Sequence, residues 1–174
     1  MATVNGGRAG ISRIILPQPS CQAVETALDS LHSPRASGLA PASRAVLDDA
    51  RRQLEEFLEG RRRALTFPVD LSAGTAFQRR VWRAILAIPY GRARSYRWVA
   101  TRVGGPAYAR AVGLALGANP VPIVVPCHRV VASDSSLGGF TGGLHMKRKL
   151  LALEGTLPLL ARERHHQSLV NRHS

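Results

Sequence analysis

Residues 121–126 read Val-Pro-Ile-Val-Val-Pro and lead straight into Cys127, His128 and Arg129. No other stretch constrains the fold as tightly. The apolar run from Val121 to Val125 is too short for a helix and rich in β-branched side chains, so Ile123-Val124-Val125 reads as a buried strand. Pro126 must end it, because proline has no N–H for a sheet ladder and fixes its own φ. Cys127 is therefore expected at a strand end, where scaffolds present reactive groups. A lone cysteine is by default a small buried hydrophobe. Its neighbours argue for more: His128 can act as a base or relay to one, and the charge of Arg129 is expected to lower the thiol pKa. Adjacent Cys and His lack the spacing of metal ligands, and no CxxC or HxxxH occurs anywhere. No metal centre and no cofactor are expected.

Charge is the second constraint. The chain carries 24 Lys and Arg against 11 Asp and Glu, a net +13. Only Lys147 and Lys149 are lysines, which leaves 22 arginines. From Leu71 to Ser133 there is no acid at all, while Arg79, Arg80, Arg83, Arg92, Arg94, Arg97, Arg102, Arg110 and Arg129 contribute nine positive charges. A surface built only for solubility intersperses both signs, so this stretch reads as a polyanion-binding face whose guanidinium forks suit phosphates. After Gly155 the character changes: Arg162, Arg164, His165, His166 and His173 lie in a tail without periodic apolar residues, and disorder is expected over residues 158–174. No apolar run approaches the ~20 residues that cross a bilayer. Met1 to Gly10 has no apolar core, so no signal peptide is expected. Cys21 and Cys127 differ too much in setting to suggest a disulfide framework, which makes a reducing cytoplasm the simpler compartment.

The organisation splits near residues 71–74. Before it, Ile11 to Leu16 is a strand candidate, Pro17 to Ala42 is rich in Pro, Ser and Ala, and a helix is expected from about Ser43 to Glu59, stopped by Gly60. After it, Thr75 can cap a helix to about Ile88, with Phe77, Val81, Trp82, Ile85 and Leu86 on one face. Ser95 caps a shorter helix through Val103, Gly104-Gly105-Pro106 makes a turn, and a third helix covers about Ala107 to Gly117. Two short helices joined by a Gly-containing turn read as a helix-turn-helix. The last helix is unusual for a groove reader: it has one arginine, Arg110, among small residues, which permits close backbone approach and lets one long cation enter a base stack. Taken alone, such a helix is more often a packed core element.

Phe77-Gln78-Arg79-Arg80-Val81-Trp82, Ile88-Pro89-Tyr90-Gly91, Ser95-Tyr96, Ala109-Arg110-Ala111-Val112-Gly113, Asn119-Pro120, Pro126-Cys127-His128-Arg129-Val130 and Gly142-Gly143-Leu144 occur in one order. From about Ala45 to Gly155 this set resembles the O6-alkylguanine-DNA alkyltransferases, the methylated-DNA:protein-cysteine methyltransferases. The resemblance implies an α+β fold: a small, divergent N-terminal α/β domain over residues 1–70, then a mostly helical, winged-helix-like domain over residues 71–157. It implies single-turnover DNA repair in which Cys127 takes the alkyl group from O6-alkylguanine, and from O4-alkylthymine, in double-stranded DNA after base flipping. A monomer is expected.

Residue roles follow from the same resemblance. His128 and Glu154 would form a network with a bridging water behind Cys127. The sequence is consistent with this, since Glu154 is the only acid between Asp134 and Glu163 and closes a helix from Leu144 to Leu153, where a carboxylate opposes the macrodipole and needs a partner. Tyr96 would give its phenolic proton to guanine N3. Arg110 would take the flipped nucleotide's place in the stack, with Ala109, Ala111, Gly113, Thr75, Arg94, Ser95 and Tyr96 also against DNA. Asn119 would tie the turn before the cysteine, although a plain Asn-Pro turn reads equally well. Asn119, Val130, Phe140 and Thr141 would wall the base pocket. Phe140 stands where relatives often have tyrosine, which keeps the ring and removes one hydroxyl.

The N-terminus departs from the family. Residues 9–16 look like the second strand of a pair whose first is absent, so a truncated or rearranged domain with an exposed sheet edge is expected. Cys21 and His32 do not match the zinc ligands found in some relatives. Two other classes stay open: a non-catalytic damage-binding module, which would not need Cys127, and a cysteine hydrolase, which would not need the acid-free stretch, Tyr96 or Arg110.

Overall fold

The computed structural model describes residues 2–5, 10–16, 40–157 and 159–161. The chain divides into two units, Met1–Ala73 with Pro120–Pro122, and Gly74–Asn119 with the chain from Ile123 on. The second unit is therefore not the continuous block expected from residue 71. The short Pro120–Pro122 segment leaves it because the Pro120 carbonyl accepts the Ile14 N–H at 2.8 Å.

In the first unit, β1 (Ala2–Asn5) pairs antiparallel with β2 (Gly10–Ile14), with an irregularity between Thr3 and Val4. The expectation of a missing first strand is thus corrected. Nor is β2 left with a bare edge. On its other side the Ile11 N–H donates to Pro68 O at 2.8 Å and Ile11 O accepts from the Asp70 N–H at 2.9 Å. The single strand read from residues 9–16 was visible because Ile11 and Ile14 are buried apolar positions, whereas the four residues of β1 carry no such pattern. Helix α1 (Pro41–Leu58) packs on both strands and begins with proline at its first position, where the missing N–H has no helical partner to lose. It buries Ala50, Gln53 and Phe57. Gln53 is satisfied in the core because its Oε1 accepts the Thr66 N–H at 2.8 Å. Cys21, His32 and most of the Pro, Ser and Ala-rich stretch lie outside the described residues.

In the second unit, α2 (Ala76–Leu86) starts with a full capping box between Thr75 and Gln78. Trp82 is its core anchor: the indole N–H donates to Ala115 O at 2.8 Å and fixes α2 against the later helix that carries Ala115. A Cβ on Gly74 would stand 2.2 Å from the Trp82 ring, so only glycine lets the chain pass there. Leu86, expected on the buried face, is 44% exposed at the end of the helix. Then β3 (Arg94–Ser95) leads through the Ser95 cap into α3 (Tyr96–Val103), a 3-10 turn (Pro106–Tyr108) and α4 (Ala109–Gly117). A second 3-10 turn, Cys127–Arg129, precedes β4 (Val130–Val131), and α5 (Gly143–Leu153) follows. Strands β3 and β4 pair in parallel, Arg94 with Val130 and Ser95 with Val131.

Two further expectations are corrected here. Ile123-Val124-Val125 does not form a strand: Ile123 and Val124 make a turn, with Ile123 at φ +75°, Val125 is a lone bridge residue, and the strand follows the cysteine instead of preceding it. The tail is ordered further than residue 158, since residues 159–161 are helical and Leu160 packs in a cluster with Val131 and Leu151. Residues 162–174 lie outside the described part. Among the described residues no helix is long and apolar enough to cross a membrane.

Candidate active site and nucleic-acid interface

The backbone around Cys127 is bent twice in three residues. Pro126 has φ −82° and ψ 63°, the geometry of an inverse γ-turn, and the Cys127 N–H accordingly donates to Val125 O at 2.8 Å. The chain then winds one 3-10 turn, closed by the Arg129 N–H on Pro126 O at 2.9 Å. Asn119 braces the outside of this bend. Its Nδ2 donates to Val125 O at 2.8 Å and to Cys127 Sγ at 3.1 Å, so one amide holds both the turn and the sulfur.

Behind the sulfur lies a buried charge cluster. His128 is fully buried, and its Nε2 lies 2.9 Å from Glu154 Oε1. Glu154 also accepts Arg129 Nε at 2.9 Å, Arg129 Nη2 at 2.9 Å and the Gly91 N–H at 3.3 Å. Burial alone would raise the Glu154 pKa, but the hydrogen bonds and charges of His128 and Arg129 outweigh it and hold the carboxyl below the usual range. A carboxylate only accepts, so the proton of neutral His128 sits on Nε2 and Nδ1 is left with a bare lone pair. Among the described residues Nδ1 has no hydrogen-bond partner. Burial lowers the His128 pKa further than Glu154 raises it, which keeps the ring neutral.

The thiol behaves differently from the sequence expectation. Burial pushes the Cys127 pKa up; the Asn119 hydrogen bond and the charge of Lys147 pull against it without winning. Arg129 does not act on the sulfur, because its guanidinium is engaged with Glu154 and, through Nη1, with Ile88 O at 2.7 Å. The resting group is a neutral thiol, and a base must take its proton.

Lys147 is the residue that sequence reading missed. It is fully buried in α5, and its Nζ donates to the carbonyls of Val130 at 2.6 Å, Gly139 at 3.2 Å and Leu137. Three carbonyls satisfy one ammonium, and burial still lowers its pKa to about 8. The effect is to hold the loop at residues 137–139 against the cysteine turn. The signal was faint: Lys147 interrupts the apolar pattern of α5 at a buried position, but a surface lysine leaves the same mark. Gly138, in that loop, has φ +62°, and a Cβ on it would stand 2.9 Å from the Tyr96 ring. The loop therefore packs directly on Tyr96, whose hydroxyl donates weakly to Gly139 O at 3.4 Å. Burial raises the Tyr96 pKa, so the phenol keeps its proton.

These elements enclose a cavity of about 540 Å³ that opens on the Cys127 sulfur. Of the residues singled out in the sequence, Tyr96, Ala109, Arg110, Gly113, Cys127, Phe140 and Thr141 line it. Leu114, Leu116, Gly117 and Gly139 complete the wall. Thr141 is tied to α4 by its hydroxyl on Gly117 O at 3.1 Å. The parallel pairing of β3 with β4 explains the convergence: it sets Ser95 beside Val131, so Tyr96 enters α3 next to the cysteine turn. The remaining candidates stand elsewhere. His128 and Glu154 lie buried behind Cys127, and Asn119 and Val130, expected in the pocket wall, do not line it: Asn119 braces the cysteine turn and the Val130 carbonyl accepts from Lys147. Thr75 and Ser95 spend their hydroxyls as helix caps. Ala111 is half-buried on α4. Arg94 is exposed, with its guanidinium 5.5 Å from the centre of the Trp98 ring, which Arg102 also approaches at 3.7 Å.

Known proteins resemble this chain in sequence and fold. The 6-O-methylguanine DNA methyltransferase, DNA binding domain, matches residues 76–156. The inducible methylated-DNA–protein-cysteine methyltransferase of Bacillus subtilis is 48% identical over 119 residues, covering 66% of each chain. That of Mycolicibacterium paratuberculosis is 46% identical over 127 residues, covering 73% of this chain and 76% of the relative. The crystal structure of Mycobacterium tuberculosis OGT in complex with DNA superposes with a TM-score of 0.70 at 38% identity, over 89% of this chain and 86% of that one. The ordered motifs, the cysteine turn backed by His128 and Glu154, and these likenesses lead to one conclusion: the chain belongs to the methylated-DNA–protein-cysteine methyltransferase family.

Proposed function

We propose that this protein repairs DNA by moving the alkyl group of O6-alkylguanine in double-stranded DNA onto Cys127, once and irreversibly. The observation that carries this reading is the cavity itself, because it brings the sulfur, Tyr96 and Arg110 to one wall while His128 and Glu154 stand behind the sulfur. O4-alkylthymine is a second substrate on the same reading. Helices α3 and α4 act as a winged-helix-like helix-turn-helix, with Ala109, Arg110 and Gly113 against the groove and Thr75, Arg94 and Ser95 near phosphates.

The chemistry follows from the protonation states. The thiol proton leaves toward Nδ1 of His128 through a bridging water, and Glu154 stabilises the imidazolium that forms. The thiolate attacks the alkyl carbon in line, the new C–S bond replaces the C–O6 bond, and the bonding pair departs to guanine. Tyr96, kept protonated by its buried setting, delivers its proton to N3, so the leaving base departs neutral. Arg110 fills the gap left by the flipped nucleotide, a use its planar guanidinium suits. The product is a thioether, which no residue of the cavity can cleave, so each chain acts once.

The test is intact mass after incubation with duplex DNA carrying O6-methylguanine. One added methyl, lost in Cys127→Ala, supports the reading. Binding without mass change would replace it with a damage-binding module, and turnover of an ester or peptide would replace it with a hydrolase.

A further inference from the structure

Leu114 is 74% exposed, more than any other large apolar side chain among the described residues. It stands one helical turn after Arg110 on α4, and both line the mouth of the cavity. The surface around them is bare. A Cβ on Gly117 would meet nothing within 4 Å, and one on Gly113 would meet only the Tyr96 ring at 3.8 Å, with ordinary negative φ at both. The protein's own packing therefore asks for glycine at neither position, although glycine is a poor helix former. Something outside the chain needs the backbone close. The occupant that fits is duplex DNA, since no acid lies between Leu71 and Ser133 and α4 presents a single arginine beside the leucine.

We infer that Leu114 is a second wedge, an apolar side chain that enters the duplex beside the flipped nucleotide and packs on the base pair that has lost its neighbour. Apolar wedges of this size unstack base steps in proteins that approach DNA closely through a narrow groove. Four residues of helix rise about 6 Å and a base step about 3.4 Å, so Leu114 reaches within about two steps of the position that Arg110 fills. The division of labour is physical: the guanidinium replaces the stacked base, and the leucine shields the apolar face exposed next to it. This rests on the alkyltransferase reading and names a positioning residue for it.

The experiment compares Leu114→Ser, Leu114→Ala and Leu114→Met in the full chain, with single-turnover transfer from duplex O6-methylguanine and from free O6-benzylguanine. Leu114→Ser is expected to slow transfer from duplex about tenfold more than transfer from the free base, by loss of leucine burial against the duplex. Leu114→Met should restore the duplex rate. A 2-aminopurine placed next to the lesion should brighten on binding the parent protein and stay dim with Leu114→Ser. The variants should unfold at the same urea midpoint, because the side chain is exposed. Equal slowing on both substrates would mean that Leu114 serves the base inside the cavity and not the duplex, and would overturn the inference, as would an unchanged duplex rate. A parent protein that transfers from neither substrate would overturn the alkyltransferase reading and the wedge together.

Discussion

On α1 and the turn after it, arginine sits beside acid. Arg51 pairs with Glu55, Arg52 with Asp49 and Glu56, Arg61 with Glu59, and Arg62 with Glu56. In the second unit the ion pairs of His128 and Arg129 with Glu154 are buried, and the stretch that carries the arginines from Arg79 to Arg110 contains no acid of its own. The same residue type thus serves two ends. Interspersed with acids, it makes a solvated face worth little to stability. Unopposed, it leaves a field that only an external polyanion can neutralise. Asp134 of the second unit is exposed, whereas Glu154 is buried and enclosed by donors, and there it sets the protonation of the residue behind the nucleophile.

The comparison can be broken most decisively at the nucleophile. Cys127→Ala is expected to abolish alkyl transfer while binding to alkylated duplex persists, measured by intact mass and by fluorescence anisotropy. Loss of both would mean that the sulfur also holds the fold of the pocket. Next in size is Glu154→Gln. It leaves Arg129 without a counter-charge in the core, and breaking such a buried pair typically costs about 3–5 kcal/mol. Urea unfolding should show that loss, and transfer should fall with it; a stability like the parent's would mean that the cluster is no tighter than the pairs on α1.

Arg110→Ala comes third. Transfer from duplex should fall about tenfold or more while transfer from free O6-benzylguanine is retained, because only the duplex requires a flipped nucleotide to be replaced. Equal losses would remove arginine's special place in the unopposed set. A pH series sharpens the buried side. His128 and Glu154 both have depressed pKa values when folded, so below their unfolded values the unfolded chain binds more protons and stability falls as pH falls. The loss begins as unfolded histidine titrates, near pH 6.5, and deepens through the carboxylate range near pH 4. Glu154→Gln should flatten the lower part of that curve. Smallest of all, Arg51→Ala should leave the urea midpoint unchanged, since the pair with Glu55 is solvent-exposed.

How much was legible differs by region. Thr75 and Ser95 were readable as caps because a capping side chain bonds within three residues of itself, and both do so. The apolar spacing of α2 identified Val81, Trp82 and Ile85, while Leu86 escaped burial because the helix ends there. The run at residues 121–125 misled, because β-branching and burial are common to a strand and to a buried turn, and only the φ of Ile123 separates them. Strand β1 went unseen because its pairing, not its composition, makes it a strand. Arg129 looked like the partner of the thiol next to it in sequence, yet the 3-10 turn sends its side chain away to Glu154, 25 residues on.

By itself the sequence determined the family, the nucleophile and the unopposed charge, since ordered motifs and composition do not depend on where the chain goes. What only the tertiary structure decided is who faces whom: that Glu154 answers both His128 and Arg129, that Lys147 holds the loop over Tyr96, and that burial leaves Cys127 a neutral thiol. Those outcomes rest on desolvation and on contacts between residues 8 to 26 apart in the chain. Neither is a property of neighbours in sequence; both arise when β3 meets β4 and α5 closes over the cysteine turn.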